Sequence, residues 1–131
     1  MIRYHDERDP LDLNQLARLF ESVGWHHRTR DPDRLAQMVR GSAFRVAALD
    51  DARLVGFARA ISDDAFNAYV STVAVAPDCQ RRGIGREMLR RLVDRREHIQ
   101  FVLHADVRVH PFYLACGFRP APDMLRRDRS G

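Results

Sequence analysis

The chain has 131 residues, of which 45% are hydrophobic and 31% are charged, and its net charge at pH 7 is +4. This length predicts one domain over 1–131, and the composition excludes a disordered or membrane-embedded chain. No apolar run approaches the roughly 20 residues of a membrane span, no secretory signal precedes the first strand, and two cysteines cannot form a zinc site, so we expect a cytoplasmic protein without a metal or a membrane partner.

The first half of the chain is predicted to contain one short strand, two helices and a hairpin. The strand lies over 2–4. Apolar residues at helical spacing follow Asp12 and end near Gly24, a typical helix stop, and a loop covers 25–27. Asp31 and Pro32 predict the start of a second helix. Two strands follow over 44–49 and 53–61, joined by a turn.

The second half is predicted to contain a third, mostly apolar strand over 67–76, which is ended by a proline. A helix with an apolar inner face follows over 83–96, and a fourth main strand over 99–104. A short helix over 111–116 leads to a last strand or tail from Phe118. This order predicts a three-layer mixed α/β domain with a largely antiparallel sheet.

The turn between the third strand and the long helix is the most informative segment. It contains Gly83 and Gly85, and the first N–H groups of the helix that begins there have no intrahelical acceptor and carry a partial positive charge. Glycines allow a ligand to approach the backbone closely. Arg81, Arg82 and Arg86 surround the turn and can add charge-assisted hydrogen bonds. The segment therefore predicts a site for a phosphate or pyrophosphate.

Two common phosphate-binding motifs do not fit this turn. A Walker A loop requires a lysine, and the chain contains none. A Rossmann fingerprint requires a third glycine where Met88 stands. From the residues alone, a flexible helix entry remains an alternative to a ligand site.

Two motifs, taken in order, resemble the GNAT superfamily of N-acetyltransferases. Gln80-Arg81-Arg82-Gly83-Ile84-Gly85 fits the family's acyl-CoA signature Q/R-x-x-G-x-G/A, and 73–77 looks like the strand and proline that precede it. Downstream, 111–118 resembles the family's F-Y-x-x-x-G-F segment. The resemblance is strong over 55–118. It implies a GNAT-like fold for the domain, with helices on both faces of a mixed, mostly antiparallel sheet and one splayed strand pair.

The resemblance also implies that acetyl-CoA binds as a co-substrate. Its acetyl and pantetheine parts would bind the backbone of Val73, Ala74 and Val75, whose side chains also fit plain core packing. Its pyrophosphate would bind the turn, and the residues implied there are Gln80, Arg81, Arg82, Gly83, Ile84, Gly85 and Arg86.

The implied reaction is direct attack of a primary amine on the thioester in a ternary complex. Tyr113 stands where the family's general acid often stands and would protonate the leaving thiolate, although it could also only pack beside Phe112. The general base stays open among His104, Asp106, Asp63, Asp64 and His26, and Asp106 occupies the family's usual asparagine position. The acceptor pocket, or else core and loop anchors, would be formed by Trp25, His26, His27, Phe66 and Tyr69.

Three further expectations concern partners and alternatives. The acceptor is expected to be a small-molecule or peptide amine, and a homodimer is predicted. A non-catalytic acyl-CoA-binding sensor module is the alternative function. The basic residues are all arginine, which suggests nucleic acid, but interleaved acids favour a solvated surface, so we expect no nucleic-acid partner. Cys116 is expected to be a structural thiol and not a nucleophile.

Overall fold

The computed structural model describes residues 1–130. Within them, five strands form one sheet in the order β1-β2-β3-β4-β5, with the bounds Ile2–Asp6 (β1), Phe44–Asp50 (β2), Arg53–Ser62 (β3), Asn67–Val75 (β4) and Gln100–Val102 (β5). The helices are Leu13–Ser22 (α1), Pro32–Arg40 (α2), Ile84–Val93 (α3) and His110–Ala115 (α4). Short 3-10 turns cover His26–Arg28, Pro77–Cys79 and Val107–Val109.

The sheet is mixed but mostly antiparallel, as predicted. β1 to β4 pair antiparallel in sequence order, whereas β5 pairs parallel with β4. The β3–β4 register contains one irregularity: Arg59 lies opposite Thr72 and Ala60 lies opposite Val70. Ser71 is therefore an extra residue in β4, and an extra residue of this kind forms a β-bulge that bends and twists its strand.

Helices cover both faces of the sheet, which confirms the three-layer prediction. A Cβ on Gly56 of β3 would lie 3.0 Å from the Met88 sulfur of α3, so this face of β3 packs closely on α3. The next residue, Phe57, points to the other face, because side chains alternate along a strand. Its ring centroid lies 6.1 Å from that of Phe20 in α1. The core thus lies on both sides of β3, whose residues 54–60 are all buried.

The first two helices begin where the sequence predicts. The Asp12 side chain accepts hydrogen bonds from the N–H groups of Asn14 and Gln15 at the start of α1. Asp31 caps α2 in the same way, and Pro32 occupies its first position. An aspartate that accepts these otherwise unpaired N–H groups fixes the helix start locally.

Several predicted bounds are wrong in the second half of the chain. The helix predicted over 83–96 ends at Val93, because Arg95 adopts a φ of +59° and the Arg96 N–H donates to the Val93 carbonyl in a turn. The strand predicted over 99–104 is only Gln100–Val102, because its pairing with β4 stops there. The segment from Phe118, predicted to be a last strand or tail, is a tail without a strand within residues 1–130. In the first half of the chain, the loop predicted over 25–27 contains a 3-10 turn. No helix in the described part of the chain is long and apolar enough to cross a membrane.

Candidate functional site

A gap opens in the sheet where β5 leaves β4. The two strands pair only between Asn67–Tyr69 and Gln100–Val102, whereas β4 continues to Val75. The Ala76 N–H donates to the Val55 carbonyl at 2.8 Å, so the peptide groups of Ala76 face β3. Because successive residues alternate in direction, those of Val75 and Val73 point into the gap. This unpaired edge can bind an extended ligand as an added strand would be bound.

The positive end of α3 lies directly after this edge. Gly83 is its N-cap with a φ of +79°, and no side chain caps the helix. A left-handed conformation favours glycine, and the bare N-terminus leaves N–H groups for an anion. The exposed side chains of Arg81, Arg82 and Arg86 make no ion pair with an acid within residues 1–130. The turn therefore offers both backbone donors and uncompensated positive charge.

Side-chain hydrogen bonds connect the turn before α3 to both β3 and β4. Arg53 of β3 donates to both carboxylate oxygens of Asp78 at 2.8 Å, which lowers the pKa of Asp78 to about 2. The buried Cys79 follows, and Gln80 donates from Nε2 to the Val75 carbonyl at 3.2 Å. Gln80 thus contacts the end of β4 through its side chain. These contacts hold the predicted phosphate turn at the open end of the gap.

Helix α4 lies against the start of α3. The Phe112 ring is 3.1 Å from the position that a Cβ on Gly85 would take. Gly85 therefore lets the two helices approach closely, in addition to any role in ligand binding. This contact joins the two sequence motifs, which are separated by a helix and a strand along the chain.

Tyr113, the predicted general acid, is partly buried beside Phe112. Its ring packs edge-on against Phe112 and Phe118, with centroids 5.0 and 5.9 Å away. Burial, and then the neighbouring Cys116, raise the pKa of the Tyr113 hydroxyl above its usual value. The phenol consequently keeps its proton at neutral pH, as a proton donor must. Burial also raises the pKa of Cys116, which disfavours the thiolate that a nucleophile would need.

The five candidate bases are placed very differently. Asp63 accepts hydrogen bonds from three N–H groups of the β3–β4 turn, those of residues 65–67. Asp106 caps the turn before α4 and pairs with Arg108 at 2.9 Å. His26 lies in the exposed turn after α1, and Asp64 in the exposed β3–β4 turn. His104 alone among the five lines a cavity beside the gap, where its ring stacks on that of Tyr69 with centroids 6.1 Å apart.

The residues predicted for an acceptor pocket do not line one common cavity. Trp25 packs on Phe20 with centroids 5.3 Å apart, which is the anchoring alternative. Phe66 is 73% exposed on the β3–β4 turn, and His27 is exposed after α1. Tyr69 is the member that reaches the cavity, which has a volume of about 710 Å³ and is lined by Tyr69, Leu103, His104 and 124–129.

Sequence reasoning missed two arginines that meet on β4, three residues from Tyr69. Arg28 and Arg59 both donate hydrogen bonds to the Thr72 hydroxyl on the α1 side of β4. One signal for them was present. Arg59 is a charged residue inside an otherwise apolar strand, at a position that alternation directs into the protein.

Comparisons with known proteins agree with this geometry. Residues 11–118 match the sequence model of the Acetyltransferase (GNAT) family. The Uncharacterized N-acetyltransferase ycf52 of Pyropia yezoensis is 31% identical over 130 residues, which cover 94% of this chain and 74% of that protein. The chloroplastic Serotonin N-acetyltransferase 2 of Oryza sativa subsp. japonica is 38% identical over 125 residues, which cover 88% of this chain and 60% of that protein.

A solved structure also matches the whole fold. A probable acetyltransferase from meticillin-resistant Staphylococcus aureus superposes with a TM-score of 0.84 at 20% identity, over 100% of both chains. This likeness concerns the fold. The sequence relatives are longer, since the chain spans 74% of the Pyropia protein and 60% of the rice protein.

Proposed function

The chain belongs to the Acetyltransferase (GNAT) family, and from this premise we propose that it transfers an acetyl group from acetyl-CoA to a primary amine. The observation that carries the proposal is the unpaired edge of β4 running into the uncapped N-terminus of α3. An extended thioester arm that ends in a pyrophosphate has the shape and charge for this continuous site. The reaction takes place in a ternary complex, without an acyl-enzyme.

Binding uses mainly backbone groups. The peptide groups of Val73 and the N–H of Val75 take the pantetheine arm, since the Val75 carbonyl accepts from Gln80. Ala74 between them packs into the core at 3% exposure. The first N–H groups of α3, from Gly83 to Arg86, take the pyrophosphate. Arg81, Arg82 and Arg86 add charge-assisted hydrogen bonds from guanidinium groups that no acid within residues 1–130 neutralises.

In the chemical step, the amine nitrogen forms a bond to the thioester carbonyl carbon and the carbon–sulfur bond breaks. The amine loses one proton to a base or to water, and the thiolate gains one from the Tyr113 hydroxyl, which solvent then reprotonates. No net charge is created. A backbone N–H near Val73 stabilises the oxyanion that forms on the carbonyl oxygen. Placing the two reactants together can contribute about 7–11 kcal/mol to lowering the barrier.

His104 is our proposed base or anchor of a water chain, because it lines the cavity beside the gap. A neutral imidazole has a ring nitrogen that can accept a proton. Asp63 and Asp106 are removed from the proposal, because their carboxylates already bind the N–H groups of turns.

The acceptor is proposed to be an amine with a free –NH₂ group. The rice relative is named as a serotonin N-acetyltransferase, which supports a small amine in this role. Cytoplasmic localisation stays a prediction, since that relative is named as chloroplastic.

The test is a panel of amines incubated with acetyl-CoA and the protein, with free CoA thiol measured over time. We expect acceptor-dependent thiol release, and the acetylated amine in the product by mass spectrometry. Tight acetyl-CoA binding without turnover of any amine would contradict the proposal and favour the acyl-CoA sensor. Affinity for nucleic acid that falls steeply with salt, without binding of acetyl-CoA, would contradict both.

A further inference from the structure

Two arginine side chains meet on the face of the sheet that α1 and α2 cover. Arg59 extends from β3 and is only 7% exposed, and Arg28 reaches in from the turn after α1. The Thr72 hydroxyl accepts from both, at 3.1 Å from Arg59 Nε and 3.0 Å from Arg28 Nη1. Two positive charges thus contact one neutral oxygen.

No acid compensates these charges in the described part of the chain. The other hydrogen bonds of Arg59 go to the hydroxyls of Ser71 at 3.1 Å and Ser42 at 3.5 Å. Neither arginine forms an ion pair with an aspartate or glutamate of residues 1–130. A buried guanidinium group such as that of Arg59 is ordinarily paired with a carboxylate. Neither Arg59 nor the half-buried Arg28, which lies over the Trp25 ring at 5.3 Å from its centroid, has such a partner.

The pKa values of both arginines are lowered, as expected for guanidinium groups without an anionic partner. Burial, and then the charge of Arg28, lower the pKa of Arg59 to about 10. Burial lowers the pKa of Arg28 as well, and the positive charge of Arg129 adds to this effect. Each shift expresses a penalty on the charged form that a bound anion would remove.

The pair lies where the gap begins. Ser71, the extra residue of β4, accepts from Arg59, and Tyr69 is the last β4 residue that pairs with β5. Thr72 and Val73 are neighbours in one strand and point to opposite faces, because side chains alternate. The arginines therefore approach β4 from the face opposite α3, while the turn at Gly83 belongs to α3.

The cavity that Tyr69 lines is itself basic. Arg126, Arg127 and Arg129 line it, and Asp128 is the acidic residue in its lining. Asp128 is already paired with Arg126 at 2.8 Å. Tyr69 lines the cavity and lies two residues along β4 from Ser71, whose hydroxyl accepts from Arg59. The cavity and the arginine pair therefore lie along the same stretch of β4, and arginines outnumber acids among them.

We propose that Arg28 and Arg59 bind a carboxylate or phosphate group carried by the acceptor amine, with the rest of the acceptor in the cavity lined by Tyr69 and His104. The proposal rests on the proposed function, since it names the acceptor class of the same site. Arginine presents a fork of N–H donors that matches both anions. The acceptor is thus an amino acid or a phosphorylated amine, in preference to an amine without an anionic group.

The first experiment compares matched acceptors that differ in one anionic group. Tryptamine is compared with tryptophan for the carboxylate, and glucosamine with glucosamine 6-phosphate for the phosphate, each at equal concentration of unprotonated amine. We expect kcat/KM to be at least tenfold higher for the anionic member of one pair, and the pair that responds identifies the anion. A kcat/KM less than tenfold higher for the anionic member in both pairs overturns the inference and leaves the proposed function standing.

The second experiment removes the guanidinium groups. Arg28→Gln changes a partly exposed residue and is expected to fold, and Arg59→Gln is compared with it after thermal unfolding confirms a folded protein. We expect each variant to reduce the preference for the anionic acceptor at least tenfold, mainly through KM. Arg90→Gln removes the same charge from the exposed side of α3 and is expected to leave the preference unchanged. A preference that survives in Arg28→Gln and Arg59→Gln overturns the inference.

A binding measurement decides the case in which no amine is turned over. Inorganic phosphate is titrated by calorimetry into proteins that carry Gly83→Val. Because this substitution blocks the turn, the titration measures phosphate binding at anion sites outside the turn. We expect binding that Arg28→Gln weakens at least tenfold and Arg90→Gln does not. Equal phosphate affinity in the two variants overturns the inference. If Arg28→Gln alone weakens phosphate binding but no amine is acetylated, only the proposed function is contradicted.

Discussion

Gln80 and Val75 are joined by a hydrogen bond from the Gln80 side-chain amide to the Val75 carbonyl, 3.2 Å away. The carbonyl belongs to the edge of β4 that β5 does not pair with, and the amide belongs to the turn that precedes α3. The turn is thereby held at a fixed distance from the strand edge. Both halves of the proposed acetyl-CoA site depend on that spacing, since one binds the arm and the other the pyrophosphate.

Removal of this contact should weaken acetyl-CoA binding, because the Gln80 side chain holds the turn against the edge of β4. We expect Gln80→Ala to raise the Kd for acetyl-CoA several-fold and to lower the free energy of unfolding by about 0.5–1.5 kcal/mol, the usual net value of one hydrogen bond. Calorimetry and urea unfolding measure the two quantities. Gln37→Ala in α2 serves as the control, and a Gln80→Ala protein with wild-type affinity would show that the turn needs no such tether.

Gly83 allows a second comparison, because the chain has another glycine with the same backbone. Gly83 and Gly24 have φ values of +79° and +84°, and a Cβ on either would meet nothing within 4 Å. Gly83→Val and Gly24→Val should therefore share a similar backbone penalty of about 1–2 kcal/mol. We expect only Gly83→Val to raise the Kd for acetyl-CoA, by at least tenfold, because its side chain blocks the approach to the N–H groups of α3. Equal affinities in the two folded variants would remove the turn from the site.

The Tyr113 hydroxyl can be tested without disturbing its ring contacts. Tyr113→Phe keeps the packing against Phe112 and Phe118 and removes only the proton donor. General acid catalysis is worth about 10²–10⁴-fold, so we expect kcat to fall within that range while the KM for acetyl-CoA changes little. Tyr4→Phe, on β1, is the matched control. Near wild-type kcat in Tyr113→Phe, where chemistry limits the rate, would assign the thiolate's proton to water.

Local signals in the sequence predicted most of the fold correctly. Asp12, Asp31 and Pro32 act within one turn of their own position, so the starts of α1 and α2 could be read directly. The end of α3 could not, because the turn at Arg95 places Arg96 over the Phe44 ring, 3.7 Å from its centroid. This contact joins residues far apart in sequence, so no local sequence pattern predicts it.

The candidate site also contains a part that local sequence predicts and a part that depends on contacts between distant residues. The turn around Gly83 carries its chemistry in consecutive residues, so both the motif and the resemblance were visible. The pair of Arg28 and Arg59 was not, because it depends on the β3–β4 register and on a 3-10 turn that brings Arg28 to Thr72. Asp63 and Asp106 were plausible bases by residue type, and only their hydrogen bonds to turn N–H groups assign them to structural roles.

A final prediction concerns the acid dependence of stability. Hydrogen bonds from Arg90, and then from Arg91, lower the pKa of Glu87 in the first turn of α3 to about 2, from a usual value of 4.5. A depressed carboxyl pKa contributes stability that is fully present above the usual value and is lost as the pH falls from there through the folded value. Both arginines are largely exposed, at 59% and 44%, so solvent screening limits the two pairs to about 1 kcal/mol together.

We therefore expect Glu87→Gln to lower the free energy of unfolding by about 1 kcal/mol at pH 7, and by the same amount at pH 5.5. The difference from the wild-type protein should shrink below pH 4.5 and approach zero near pH 2. Urea unfolding at pH 7, 5.5, 4 and 3 measures it, with Glu97→Gln as the control, since Glu97 forms no ion pair with another residue of 1–130. A difference that stays constant down to pH 3 would mean that Glu87 stabilises α3 by packing and not by its charge.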